Sequence, residues 1–305
     1  MDKNYIDVLE KIADIRDFPA GAYNIRSDGK SIGKNDSEKI KIEFKKDVSG
    51  LDIYVSPDTV KESVHIPVVI GESGHTETVY NDFHIGDNSE IVIIAGCGIH
   101  NCGEHESKHD GIHSFHVGKN CKVKYIEKHY GSGDGKGERV MNPVTKIYLD
   151  EGSKLEIETV QIEGIDSTKR ETYAKLSDNS TVVIKEKLMT HGNQFASTDF
   201  EVDLDGSDCS ASLVSRSVAK NNSKQVFFAK MTGNNSCHGH SECDAIIMDN
   251  ASVKAVPEIT ANHVDASLIH EAAIGKIAGE QLIKLMTLGM SEAEAEQKII
   301  EGFLK

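Results

Sequence analysis

The chain has 305 residues, is 38% hydrophobic, contains no tryptophan and carries a formal net charge of −15. That length suits one large domain or two ordinary ones, and the acidic balance argues against nucleic acid or an anionic membrane, both of which select basic surfaces. No apolar run reaches the roughly 18 residues of a membrane helix, and the opening MDKNYIDVLEKIADIRDF is too charged for a signal peptide, so a cytoplasmic protein with six reduced cysteines is expected.

Residues 1–30 read as a helical and irregular N-terminal segment, with Tyr5, Leu9 and Ile12 on one helical face. From 31 to 277 one pattern recurs: a hydrophobic residue, a Gly/Asp/Asn turn, Ser or Cys, then alternating strand residues. It is seen in HIGDNSEIVII (84–94), HVGKNCKVKYI (116–126), YLDEGSKLEIE (148–158) and KLSDNSTVVIK (175–185). Looser copies are DLDGSDCSASL (203–213), IMDNASVKAVP (247–257) and an early IGKNDSEKIKI from residue 32. Ser89, Cys121, Ser153 and Ser180 are spaced by 32, 32 and 27 residues. A period near 30 marks a repeat architecture. The alternation of Leu155, Ile157, Thr159 and Gln161 fits strands with one buried face. Such units stack as a solenoid, here a parallel β-helix, each coil burying its apolar face against its neighbours. An antiparallel sandwich is the rival.

Residues 278–305 predict two helices. The first, in AGEQLIKLMTLG, carries Leu282, Leu285 and Met286 on one side and ends at Gly289. The second starts from an S-x-x-E box at Ser291 and Glu294 and repeats Ala295, Ile299 and Phe303. The terminal helices are expected either to cap the solenoid or to dock a partner.

Three stretches are rich in ligand-type side chains. GCGIHNCGEHESKHDGIHSFH (96–116) holds Cys97, His100, Cys102, His105, His109, His113 and His116. Its C-x4-C spacing is not that of a zinc finger, and Cys97, His100 and Cys102 are its candidate metal ligands. SCHGHSECD (236–244) places Cys237, His238, His240 and Cys243 together. Thiolates suit iron–sulfur clusters, but two are few, and small buried thiols in a packed coil are the plainer reading. LIHEAAIGKI (268–277) contains His270 and Glu271. In a strand only one of that pair faces a given side, and a structural salt bridge is the alternative. GSGDGKGE (131–138) lacks G-x4-G-K-[ST] and reads as a mobile loop, so no nucleotide is expected on this chain.

The segment from 240 to 303, with its Cys-Asp, H-E-A, G-K-I, G-x-Q-L and two helices, resembles the C-terminal region of the SufB/SufD family, scaffolds of the SUF iron–sulfur assembly machinery. The likeness extends over the strands from about residue 60, and H-E-A is closer to SufB. The resemblance implies a mainly β fold: a right-handed parallel β-helix with a small α-helical C-terminal region docking a SufC-like ABC ATPase. It also implies pairing of two subunits through their β-helices, here a homodimer. It makes Cys243 the cysteine that holds a transient, nascent iron–sulfur cluster. His270 and Glu271 are associated with that site, and Cys237 and His240 are further possible ligands. Gln281, Leu282, Leu285, Met286, Met290, Ile299 and Phe303 fall on the ATPase-docking helices. The implied function is a non-enzymatic scaffold that assembles clusters and passes them to apo-proteins. The alternatives are a structural SufD-like subunit without its own cluster and a metal-binding or sensing protein. One departure stands out: where longer members have a sulfur-accepting cysteine, this chain has Tyr148 and Leu149. A β-helix lyase is disfavoured by an aromatic content of 6%.

Overall fold

The computed structural model describes residues 3–305. Helix α1 (Lys3–Ala13) leads into two antiparallel hairpins, β1 (Ala22–Ser27) with β2 (Lys30–Asn35) and β3 (Ile40–Phe44) with β4 (Gly50–Val55). Each hairpin opens one long sheet. The first continues through β5 (Val60–Ile70), β7 (Glu90–His100), β9 (Lys122–Ser132), β12 (Lys154–Glu163), β14 (Thr181–Thr190), β16 (Cys209–Ala219), β18 (Cys237–Ile247) and β20 (Ala266–Gly275). The second continues through β6 (Thr76–Ile85), β8 (Ser107–Val117), the short β10 (Arg139–Met141) and β11 (Val144–Leu149), β13 (Ser167–Leu176), β15 (Phe195–Leu204), β17 (Lys224–Gly233) and β19 (Ser252–Ala261). Beyond the hairpins the described pairings are parallel, and the chain alternates between the sheets. The result is a parallel β-solenoid, which excludes the sandwich. The early repeat copy from residue 32 is not a coil: it runs from β2 into β3 within the antiparallel opening.

The repeat motif is the solenoid corner. Asn88, Asn120, Asn179 and Asp208 have φ of 59°, 55°, 55° and 55°, and Gly152 has 71°. Asn, Asp and Gly tolerate this left-handed region better than other residues. The next residue turns a small donor back onto a nearby carbonyl. Ser89 Oγ donates to the Ser56 carbonyl (3.2 Å), Cys121 Sγ to Gly86 (3.2 Å), Ser180 Oγ to Ser177 (2.7 Å) and Cys209 Sγ to Gly206 (3.0 Å). The amide of each turn residue donates to the coil above, as Asn88 N does to the Lys119 carbonyl (2.8 Å) and Asn120 N to Glu151 (3.0 Å). A hydroxyl or thiol at the corner thus adds a donor to the carbonyls that the bend turns inward.

Inside, like residues stack coil on coil. Phe83 and Phe115 lie ring on ring at 4.6 Å, and Ile147, Ala174, Val202 and Met231 follow on the same rung. Helix α1 does not cap an end. It lies on the outer flank of the first sheet, where Val8, Leu9 and Ile12 pack with Ile25 and Val69. Gly96 and Gly98 permit this approach: a Cβ on Gly96 would sit 2.5 Å from the Ile12 carbonyl oxygen, and one on Gly98 would sit 2.1 Å from Val8 Cγ1. Helices α2 (Gly279–Thr287) and α3 (Glu292–Phe303) follow β20, and α3 opens with the Ser291–Glu294 capping box. Ile300 and Leu304 pack on Val218 and Ile246, again on the outside of the first sheet. The final coil therefore ends openly. Ile259 and Ile274, in register with core-facing Met231 and Ala245, are 40% and 38% exposed.

Replacing Phe115 with alanine removes one half of the ring stack from a site with no exposure. The expected loss is about 3–5 kcal/mol, read as a lower urea midpoint. Val264→Ala, at a position 94% exposed, is expected to stay within about 0.5 kcal/mol of wild type.

Candidate functional site

Strand β18 carries the central cysteines, and strand alternation sorts its side chains. Cys237, Gly239, Ser241, Cys243 and Ala245 face the interior, while His238, His240, Glu242 and Asp244 face out. Parallel pairing with β20 sets Ser241 beside His270, Glu242 beside Glu271 and Cys243 beside Ala272. His270 therefore shares the interior side, where its Nδ1 lies 2.6 Å from Ser241 Oγ. Glu271 is outside, with its carboxylate 3.5 Å from His240 Nε2 and its side chain 68% exposed. The structure thus places Cys237, Cys243 and His270 on one side of the sheet and His240 and Glu271 on the other.

Cys243 is buried, and burial pushes its thiol up to about 12, with Glu186 and Asp244 adding to the effect. Thiolate is the ligand form, so cluster binding here requires opening, or a metal able to displace the proton. Burial, then His240, draws the His270 imidazole down, favouring the neutral, ligand-competent ring. On the outer face a hydrogen bond to Asp244, then burial, raises the Glu242 carboxyl. Cys237 has a structural place as well: it follows Ser180 and Cys209 in the corner ladder.

Sequence reasoning missed what lies beneath Cys243. Glu127, Thr159, Glu186, Ser215 and Cys243 occupy one interior rung, one per coil. Ser215 Oγ donates to Glu186 (2.6 Å), Thr198 Oγ1 donates to the other oxygen of that carboxylate (2.8 Å), and Arg170 lies 3.9 Å from it. Arg170 Nη1 pairs with Glu127 at 2.5 Å, and Tyr125 Oη links Glu127 (3.0 Å) to His113 Nδ1 (2.7 Å). Burial opposes the Glu127 charge, yet Arg170 and His129 hold its carboxyl well below the usual range. The signal was present in the alternation: Val123, Tyr125, Glu127 and His129 share one parity, which puts a charge on the core face.

The 96–116 cluster is dispersed by the same rule. Cys97, His109 and His113 point inward; His116 lies outside, stacked between His84 (5.3 Å) and Tyr148 (5.2 Å). Cys102 is exposed, 3.2 Å from His100 Nε2. Among the described residues, no group of three or more His, Cys, Asp or Glu side chains is gathered for a metal ion. The 131–138 stretch is tied down rather than loose: the amides of Gly135 and Gly137 bond the carbonyls of Asn101 and Gly103 at 3.1 and 3.0 Å.

On the C-terminal helices, Leu282, Leu285, Met290, Ile299 and Phe303 are partly buried, whereas Gln281 and Met286 are exposed. Ile283 and Leu288, which helical periodicity did not select, are 61% and 78% exposed.

The interior network makes a pH prediction. Burial draws His113 down to about 4 from its ordinary 6.5. Between these values the unfolded chain binds the extra proton, so stability falls as pH drops through this window. The expected loss from this group is roughly 3 kcal/mol between pH 7 and 4. Denaturation midpoints across that range should show a flatter profile for His113→Gln.

A family model described as "SUF system FeS cluster assembly, SufBD core domain" matches residues 69–303. An iron-sulfur cluster assembly SufBD family protein of Methanothermobacter thermautotrophicus is 30% identical over 243 residues, covering 77% of this chain and 57% of that protein. Similar proteins of Methanocaldococcus jannaschii (28% over 254 residues; 80% of this chain, 77% of that protein) and Pyrococcus horikoshii (28% over 287 residues; 92% and 86%) carry the same family name. The chain spans just over half the length of the Methanothermobacter relative, 57%. With a parallel β-solenoid beneath the matched segment, the chain belongs to the SufBD family of SUF-system iron–sulfur cluster assembly proteins.

Proposed function

We propose that this chain is a non-enzymatic scaffold on which iron–sulfur clusters are assembled and then passed to apo-proteins. It works in the cytoplasm with a SufC-like ABC ATPase that binds and hydrolyses the nucleotide. The observation that carries this reading is the position of Cys243: a buried thiol one strand from the open edge, above a polar interior rung and next to the strand bearing His270.

The cluster is cargo. Cys243 supplies the thiolate, and a nitrogen or oxygen ligand supplies the weaker bond that lets the cargo leave. His270 on the inside and Glu271 with His240 on the outside are the candidate partners, and Cys237 is a further thiol one corner away. In the closed state Cys243 holds its proton and β20 covers it. Movement of β20 is the step that admits iron and sulfide. The C-terminal helices are the lever: α2 begins at Gly279, shortly after β20 ends at Gly275. α3 rests on Ile246, three positions from Cys243 on the same strand. An ATPase that grips exposed Ile283, Met286 and Leu288 beside Gln281 and Leu282 would pull on both. Two copies pair through the unpaired edges and half-exposed Ile259 and Ile274 of the final coil. The acidic surface is unsuited to nucleic acid or anionic membrane, and no helix is long and apolar enough to cross a membrane.

The runner-up is a structural, SufD-like subunit, favoured by the way alternation divides the donors between two faces. Anaerobic reconstitution with iron and sulfide, with and without a SufC-type ATPase, separates the two. Charge-transfer absorption and bound iron that disappear in Cys243→Ser support the scaffold. Wild type that takes up no iron even with the ATPase supports the structural subunit. In the same preparation, Met286→Asp is expected to abolish co-purification of the ATPase while leaving the circular dichroism of the solenoid unchanged.

A further inference from the structure

Cys102 stands apart from the other five cysteines, all of which are buried. It lies just beyond the end of β7, on a turn that the Gly133–Gly137 stretch covers from the next coil. His100 is the last residue of β7, and its Nε2 is 3.2 Å from Cys102 Sγ. The opposite ring nitrogen, Nδ1, is 2.9 Å from Ser132 Oγ at the end of β9. Ser132 is the register partner of His100, so the solenoid ladder sets this second contact. The chain Ser132–His100–Cys102 is thus an exposed thiol, an imidazole in reach of its proton and a hydroxyl that orients the ring. An imidazole held by its far nitrogen and within hydrogen-bond reach of a sulfur nucleophile has the geometry of an activated thiol.

We propose that Cys102 is a nucleophilic thiol that exchanges with small-molecule disulfides, with His100 as its base and Ser132 as the residue positioning His100. The Cys102 proton moves to His100 Nε2, and the thiolate attacks one sulfur of R–S–S–R. The new S–S bond joins Cys102 to one half, the old S–S bond breaks, and the departing thiolate takes the proton from the imidazolium. One disulfide is consumed, one mixed disulfide and one thiol are formed, and no further oxidant is needed. The product is a reversible modification on the solenoid flank, away from the interior rung of Cys243. This inference does not rest on the scaffold reading: it concerns a different face and is tested without iron.

The test uses the folded 305-residue chain and the aromatic disulfide dithiobis-nitrobenzoate, with thiolate release followed by absorbance. Wild type is expected to show one fast-reacting thiol, lost in Cys102→Ser. His100→Gln is expected to slow that phase about tenfold at neutral pH, a modest effect beside the roughly 10²–10⁴-fold typical of general-base catalysis. The difference should close above about pH 9, where a free thiol ionises unaided. Ser132→Ala is expected to fall between the two. A merely structural role for His100 would move the rate equally at every pH. A second arm with glutathione disulfide, read by mass, tests whether an aliphatic disulfide is accepted and the adduct is reversed by thiol. Persistence of the fast phase in Cys102→Ser overturns the proposal. So does a His100→Gln rate that matches wild type across the pH range, or fails to converge with it at high pH.

Discussion

Coil-on-coil register is the constraint on which the rest of this structure depends. Each strand of a parallel ladder places its residues beside the equivalent residues of the coil below, and the corner holds that alignment. A residue at positive φ turns the chain, and the hydroxyl or thiol after it donates to a carbonyl at the bend. Once the corner is set, parity follows: every second side chain enters the interior. This one rule builds the aromatic stack of Phe83 and Phe115, aligns Glu127 with Cys243, and sends His240 and Glu271 to the surface.

Most of the interior is apolar, but several rungs carry polar side chains, and the one that leads to Cys243 carries charge, with Arg170 reaching it from the second sheet. Glu127, Arg170 and Glu186 are buried charges, and such groups bring a desolvation cost that mutual attraction at best offsets. They are tolerated here because each carboxylate has partners: Arg170 and Tyr125 for Glu127, Thr198 and Ser215 for Glu186. A hydrophobic isostere would suit stability as well, so stability alone does not account for the rung. Its course toward Cys243 gives the central thiol a polar neighbour on its inner side, and the open last coil gives it a thin cover on the other.

The terminal helices show how a solenoid uses its flanks. Neither α1 nor α3 closes an end; both lie on the outer face of the first sheet, α1 over glycines near the start and α3 over Val218 and Ile246 near the finish. A helix on the flank leaves the last strand edges free. Unpaired edges with half-exposed apolar side chains are suited to meeting another surface, and α3 touches the strand that carries Cys243.

Much of the fold was legible in the sequence because its causes are local. The turn residues, the Ser/Cys after them and the alternation that follows are short-range signals repeated many times, so the solenoid, the capping box at Ser291 and the Gly289 terminus could all be read directly. The early copy from residue 32 misled because a turn and a strand look the same whether the next pairing is parallel or antiparallel. The site was only half legible. Its residues stood out by type, and parity already separated His270 from Glu271, but the partners across the interior come from coils far away in sequence. No local pattern aligns Glu186 with Cys243 or brings Arg170 to Glu127; register does. Likewise Cys97, His100 and Cys102 look like one cluster along the chain, but alternation through β7 turns Cys97 inward, away from His100 and Cys102, which stay in contact. The sequence by itself determined the coil, its corners and the inward or outward parity of each side chain, since these depend on neighbouring residues. Tertiary stacking alone decided which inward groups meet, which end stays open and where the helices rest, since these depend on contacts between coils.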